Sequence, residues 1–126
     1  MARDFARARR VGDQIQRELA ELIRDEVRDP RVGSVTVSEV RVTRDFAHAE
    51  VLVTVLGASA DGSSDAVEAL NHAAGFLRSQ LARRIRLRQV PALQFRYDES
   101  FDRGARVSQL IDEAVDEDRR RHDEDD

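Results

Sequence analysis

Six arginines and no acidic residue fall between Leu70 and Tyr97: Arg78, Arg83, Arg84, Arg86, Arg88 and Arg96. The chemistry open to such a run is anion binding. A guanidinium is planar, permanently charged and forked, so it matches phosphate better than most other cellular groups. The 126-residue chain is nevertheless acidic, with a formal net charge of -4, so this stretch is offset elsewhere. Charge on a solvated helix face is the plainer alternative, but solvated helices usually interleave signs. Residues 1–31 do so, with eight arginines against seven acids. Just ahead of the run, Ala73-Ala74-Gly75 sets three of the smallest residues side by side, where a nucleic-acid backbone can come close. Arg3, Arg7, Arg9 and Arg10 face only Asp4 near the N-terminus. They form a second candidate contact arm, equally readable as a solvated helix face.

Few other groups converge in a way that chemistry would require. Glu68 and His72 have the i,i+4 spacing of two metal ligands, but no third ligand accompanies them, so no metal is expected. Serines occur without a GxSxG elbow, and neither a Walker A loop nor GxGxxG is present. No catalytic residue and no cofactor are expected. Cysteine is absent, which excludes disulfides and thiolate chemistry and favours a reducing compartment. No apolar run approaches the ~20 residues of a membrane span. The opening MARDFARARR also lacks an apolar signal core, so a cytoplasmic protein is expected.

The elements that must position the arginines follow from periodicity. Val11, Ile15, Leu19, Leu22, Ile23 and Val27 make one helical stripe, predicted to begin near Phe5 and to stop before Asp29-Pro30. Val35 and Val37, then Val40 and Val42, predict a strand whose apolar phase changes near Ser38-Glu39, as at a β-bulge. A turn at Arg44-Asp45-Phe46 leads to Ala49, Val51, Val53 and Val55 on one face of a second strand, completing a hairpin. Residues 57–64 read as a flexible loop, with Ser63 or Ser64 capping the next helix and Asp65 and Glu68 at its positive end. In that helix Val67, Leu70, Ala74, Leu77, Leu81 and Ile85 keep phase across Gly75. Periodicity therefore leaves a kink and a straight helix level.

Pro91 ends the pattern, and Leu93, Phe95 and Tyr97 alternate as a third strand with one buried face. That phase assigns Phe95 and Tyr97 to the core, so phosphate and sugar contacts are expected rather than stacking on the sheet. Val107, Leu110, Ile111 and Val115 suggest a final helix. Residues 98–126 carry twelve acids against five arginines, and 116–126 read as a disordered acidic tail. The expected architecture is an α+β two-layer domain over residues 1–115, ordered α-β-β-α-(break)-α-β with a terminal helix.

Several segments together resemble the ribosome-binding factor A family. They are RVGDQIQRELAELI, Asp29-Pro30-Arg31-Val32 before Val35-Thr36-Val37, and the Asp45 turn into Ala49-Glu50-Val51. Ala73-Ala74-Gly75-Phe76-Leu77-Arg78 follows, then Leu87-Arg88, Pro91, Leu93-Gln94-Phe95 and Asp98-Glu99-Ser100. The similarity runs from about Arg9 to Leu110, and its motifs keep order and spacing. It implies a type II KH-like fold in which an Ala-x-Gly kink, at Ala73-Ala74-Gly75, replaces the GxxG loop. It implies a non-enzymatic protein that binds the free 30S subunit through 16S ribosomal RNA. Late small-subunit maturation, 16S 5′-end processing and a role in the cold are implied as well. The positions that would contact RNA are Ala73, Gly75, Arg78, Arg83, Arg84, Arg86 and Arg88, with Arg3, Arg7 and Arg10 as the second arm. A monomer is expected. The alternative is a protein-interaction adaptor whose arginine face docks an acidic partner.

Overall fold

The computed structural model describes residues 2–100, with side chains from Phe5 onward. The expected terminal helix, the acidic tail, the boundary at 115 and the Arg3 side chain lie outside the described residues. The element order is α1 (Ala2–Glu26), β1 (Val35–Val42), β2 (His48–Val55), α2 (Ala60–His72), α3 (Ala74–Arg84) and β3 (Ala92–Tyr97). The three strands form one sheet in the order β1-β2-β3, with β1 antiparallel and β3 parallel to β2. This is the anticipated α+β sandwich, with the break between α2 and α3.

Helix α1 buries Val11, Ile15, Leu19, Leu22 and Ile23 of the predicted stripe and adds Ala8, whereas Val27, the last of the stripe, follows the helix end and is half-buried. It begins several residues before Phe5 and ends short of Pro30. Gly12 lies against β1: a Cβ at this position would stand 2.6 Å from the Val40 carbonyl oxygen. Glycine here is what lets helix and strand approach. One turn further on, the Gln16 side-chain amide donates to the carbonyls of Val37 (3.0 Å) and Ser38 (3.2 Å). The register of β1 on β2 shifts between Val37 and Glu39, so Ser38 is the bulge that the phase change predicts. Val37 and Val40 are both buried as a result.

Ala49, Val51 and Val53 of β2 are buried, whereas Val55 is half-buried. Leu52, on the opposite phase, is buried as well, which alternation does not predict. Between α1 and β1, the Arg31 side chain and backbone both donate to the Asp29 carboxylate. These bonds hold that carboxyl below its usual range and shape the turn that buries Val32.

One expectation is corrected. Helix α2 starts at Ala60, inside the supposed loop, and its cap is Ser59 rather than Ser63 or Ser64. The Ser59 hydroxyl accepts from the Gly62 amide at 3.1 Å, while Ser63 faces inward and is buried. Asp61, not Asp65 or Glu68, is the acid of the first turn. Any of the three serines satisfies the local capping pattern. Burial of Ala66, Ala69 and Leu70 sets the helix phase and thereby selects the earliest.

The Gly12→Ala variant is expected to lose about 1–3 kcal/mol of stability through overpacking. That loss runs against the roughly 1 kcal/mol by which alanine is the better helix former. Urea unfolding midpoints test it, and an unchanged or raised midpoint would show that α1 can lift from β1 freely.

Candidate nucleic-acid interface

The break between α2 and α3 rests on a side chain that imitates a strand. Asn71, in the last turn of α2, donates its amide to the Phe95 carbonyl (3.0 Å) and accepts from the Phe95 N–H (2.7 Å). Both backbone groups lie on the outer edge of β3 and would otherwise need another partner. Two residues later Ala73 turns, with φ -86° and ψ 0°, and serves at once as C-cap of α2 and N-cap of α3. Its N–H donates to Ala69 O (3.1 Å), and its carbonyl accepts from Leu77 (2.9 Å). The phase survives the turn, so Leu70, Leu77 and Leu81 are all fully buried. No side chain caps the first turn of α3. Gly75 lies in that turn, and a Cβ there would meet nothing within 4 Å. The fold thus has no internal need for glycine at 75. Beside it, Phe76 is 46% exposed.

The arginines divide into two sets. Arg78 closes the loop after α3, donating from Nε and one terminal nitrogen to the Val90 carbonyl at 3.0 and 2.8 Å. Arg84 reaches across to α1 and pairs with Glu18 (3.3 Å) and Glu21 (3.0 Å). Arg96 pairs with Glu50 of β2 at 3.4 Å. Arg83, Arg86 and Arg88 are exposed and, among the described residues, carry no hydrogen bond or ion pair. The cluster is therefore half scaffold and half free charge. Glu68 and His72 stand 4.0 Å apart on the surface, and no group of three possible ligands forms among the described residues. No described helix is long and apolar enough to cross a membrane.

At the hairpin end the two arms meet. The Asp45 carboxylate accepts from the Thr43 hydroxyl (2.7 Å) and the Ala47 amide (3.0 Å). These bonds lower its pKa, the hydroxyl first and the amide second. The tightened turn carries Phe46 at a φ of +58°, a left-handed conformation uncommon outside glycine. The Arg7 guanidinium covers the Phe46 ring at 5.3 Å, and Arg44 covers Phe5 at 4.3 Å. Arg7, Asp45, Phe46, Leu87, Arg88 and Gln89 line a groove of about 550 Å³. Arg10 is exposed one turn further along α1. Sequence reading missed Asn71, Phe46 and the pairing of Arg7 with Arg88. Arg7, Arg88 and the Asp45 turn were each singled out from the sequence, but nothing in it brought them together.

A family model described as Ribosome-binding factor A matches residues 7–111. The ribosome-binding factor A of Alkalilimnicola ehrlichii is 66% identical over 125 residues, covering 99% of this chain and 96% of that protein. The one from Halorhodospira halophila is 62% identical, covering 91% of each. The crystal structure of ribosome-binding factor A from Thermus thermophilus is 34% identical with a TM-score of 0.63. The match covers 71% of this chain and 93% of that one. A homology model of the same Thermus factor, fitted into a cryo-electron microscopy map of a complex with the 30S subunit, has a TM-score of 0.58 at 34% identity. It covers 70% of this chain and 91% of the other.

Replacing Asn71 by Ala removes both bonds to the β3 edge, with an expected cost of about 1–3 kcal/mol. Hydrogen exchange at the Phe95 amide should quicken, and unchanged protection would refute the strand-mimic role. Because the Asp45 pKa is lowered on folding, its contribution is complete above the ordinary value of 3.8. It fades as pH falls through the lower folded value. The acid-induced loss of stability should therefore be smaller in Asp45→Asn than in the parent, as urea midpoints across that range would show.

Proposed function

The chain belongs to the ribosome-binding factor A family, and we propose that it acts as a non-catalytic assembly factor on the free 30S subunit. In this reading it binds 16S ribosomal RNA as a cytoplasmic monomer. It assists late maturation of the small subunit, including processing of the 16S 5′ end. The observation that carries the proposal is Gly75, a glycine with open space around it in an uncapped first helical turn. A side chain at this point would obstruct only something arriving from outside. Exposed backbone N–H groups, Phe76 and the free arginines Arg83, Arg86 and Arg88 then meet an RNA backbone without cost to the fold. The paired arginines, Arg78 and Arg84, hold the loop and α3 in place beneath that surface. A role in the cold belongs to the same reading and is supported by the family resemblance.

Co-sedimentation with free 30S particles across a salt series tests this. The Arg83→Ala, Arg86→Ala double variant should fold normally but bind less tightly. Its salt dependence should be shallower by roughly 0.7–0.9 for each phosphate it no longer neutralises. Gly75→Leu should weaken binding while leaving stability within about 0.5 kcal/mol of the parent. Parent-like affinity and slope in these variants would remove the α3 surface from the interface. Association that survives nuclease treatment of the particles would favour the adaptor that docks an acidic protein.

A further inference from the structure

We infer that the groove at the hairpin end holds one unpaired RNA nucleotide, its base stacked on the Arg7–Phe46 layer and its phosphate on Arg88. The inference deepens the RNA-binding reading and rests on it. Arg7 and Arg88 come from opposite ends of the described chain, yet both line this groove. Its volume of about 550 Å³ falls within the ~300–1,000 Å³ of small-ligand sites. Phe46 packs its inner side on the core, and its outer face carries the Arg7 guanidinium. A guanidinium lying on an aromatic ring presents a second flat, positively charged surface, and unpaired bases stack on such planes. The platform is built rather than incidental, because Phe46 is held in a left-handed conformation by a turn that Asp45 and Thr43 lock. Such strain persists where its surroundings over-determine it and clusters at ligand clamps. Asp45 also lines the groove and its charge repels phosphate, so the phosphate is assigned to Arg88, while Gln89 offers an amide to the base edge. Phosphate contact alone needs no planar layer. The arginine held over an aromatic ring is what points to a nucleotide rather than to a simple anion.

The full chain is titrated with a fluorescein-labelled hexauridylate, and with an oligonucleotide carrying one 2-aminopurine whose fluorescence falls on stacking. Arg7→Lys keeps the charge but loses the plane. It should bind about tenfold more weakly and lose the quenching, much as Arg7→Gln does, which is the order expected for one stacked base. Arg88→Gln should keep the quenching and lower the salt slope by roughly 0.7. Parent-like binding by Arg7→Lys beside weak binding by Arg7→Gln would mean charge without stacking and would overturn the inference. So would failure of the parent protein to bind hexauridylate, or displacement of that RNA by an equimolar phosphoserine peptide. Gradient sedimentation with 30S particles keeps the two readings separable. Failure of the parent protein to bind hexauridylate while it still associates with 30S particles sinks the groove alone. Groove binding without 30S association sinks the assembly-factor reading alone.

Discussion

Everything at the α2–α3 break depends on how the free edge of β3 is satisfied. A parallel neighbour on one side leaves Phe95 with its amide and carbonyl pointing away from β2. Left bare, that edge would invite pairing with another chain, and buried groups without partners are costly. A single asparagine supplies donor and acceptor at once, so α2 must bring Asn71 to this point in this orientation. Leu70 and Leu77 must also both reach the core. A straight helix carried on from Asn71 would have to follow the α2 axis, whereas α3 packs against both β3 and α1. The turn at Ala73 reconciles the edge bond with two directions of burial. The exposed glycine surface is a by-product of that geometry.

The same logic sorts the arginines. By composition they look alike, and their density suggests one continuous face. The structure assigns Arg84 to two carboxylates on α1 and Arg96 to one on β2. Surface ion pairs of this kind contribute little, typically about 0–1 kcal/mol each, so their effect is mainly on where the side chains point. Arg78 is different in kind, because a carbonyl cannot be neutralised by salt or pH and the bonds to Val90 pin the return loop. What remains free is a smaller and better positioned set than the sequence run suggests.

Legibility in the sequence followed the range of the forces involved. Periodicity located α1, the three strands and the stretch that α2 and α3 share, and the change of phase in the first strand located the bulge at Ser38, because burial acts on neighbours two to four residues apart. The family resemblance, not periodicity, favoured a break near Gly75. Contacts that join distant segments were invisible. Glu18 and Glu21 lie more than sixty residues from Arg84, Asn71 lies 24 from Phe95, and Gly12 reads as an ordinary helix glycine until Val40 is placed beside it. The cap at Ser59 failed for a subtler reason. Three serines satisfied the same local rule, and only tertiary burial could choose among them.

The two glycines separate what the fold needs from what it leaves open. At Gly12 a Cβ collides with backbone, so any surviving sequence must keep the position small for its own folding. At Gly75 a Cβ meets nothing, and helix formation by itself would favour alanine. In the proposed reading, a residue that costs the fold something and returns nothing to it is kept for the RNA partner. Net charge does not argue against that partner being RNA. Exposed charges more than about 8–10 Å apart are largely screened at physiological salt. In the proposed reading a phosphate at α3 would meet the exposed Arg83 and Arg86, and one at the hairpin groove would meet Arg7 and Arg88 beside Asp45. The acids that make the chain negative overall are concentrated in residues 98–126 of the sequence. An acidic protein can thus present a basic surface, provided its arginines are freed locally and its carboxylates are spent on scaffold pairs.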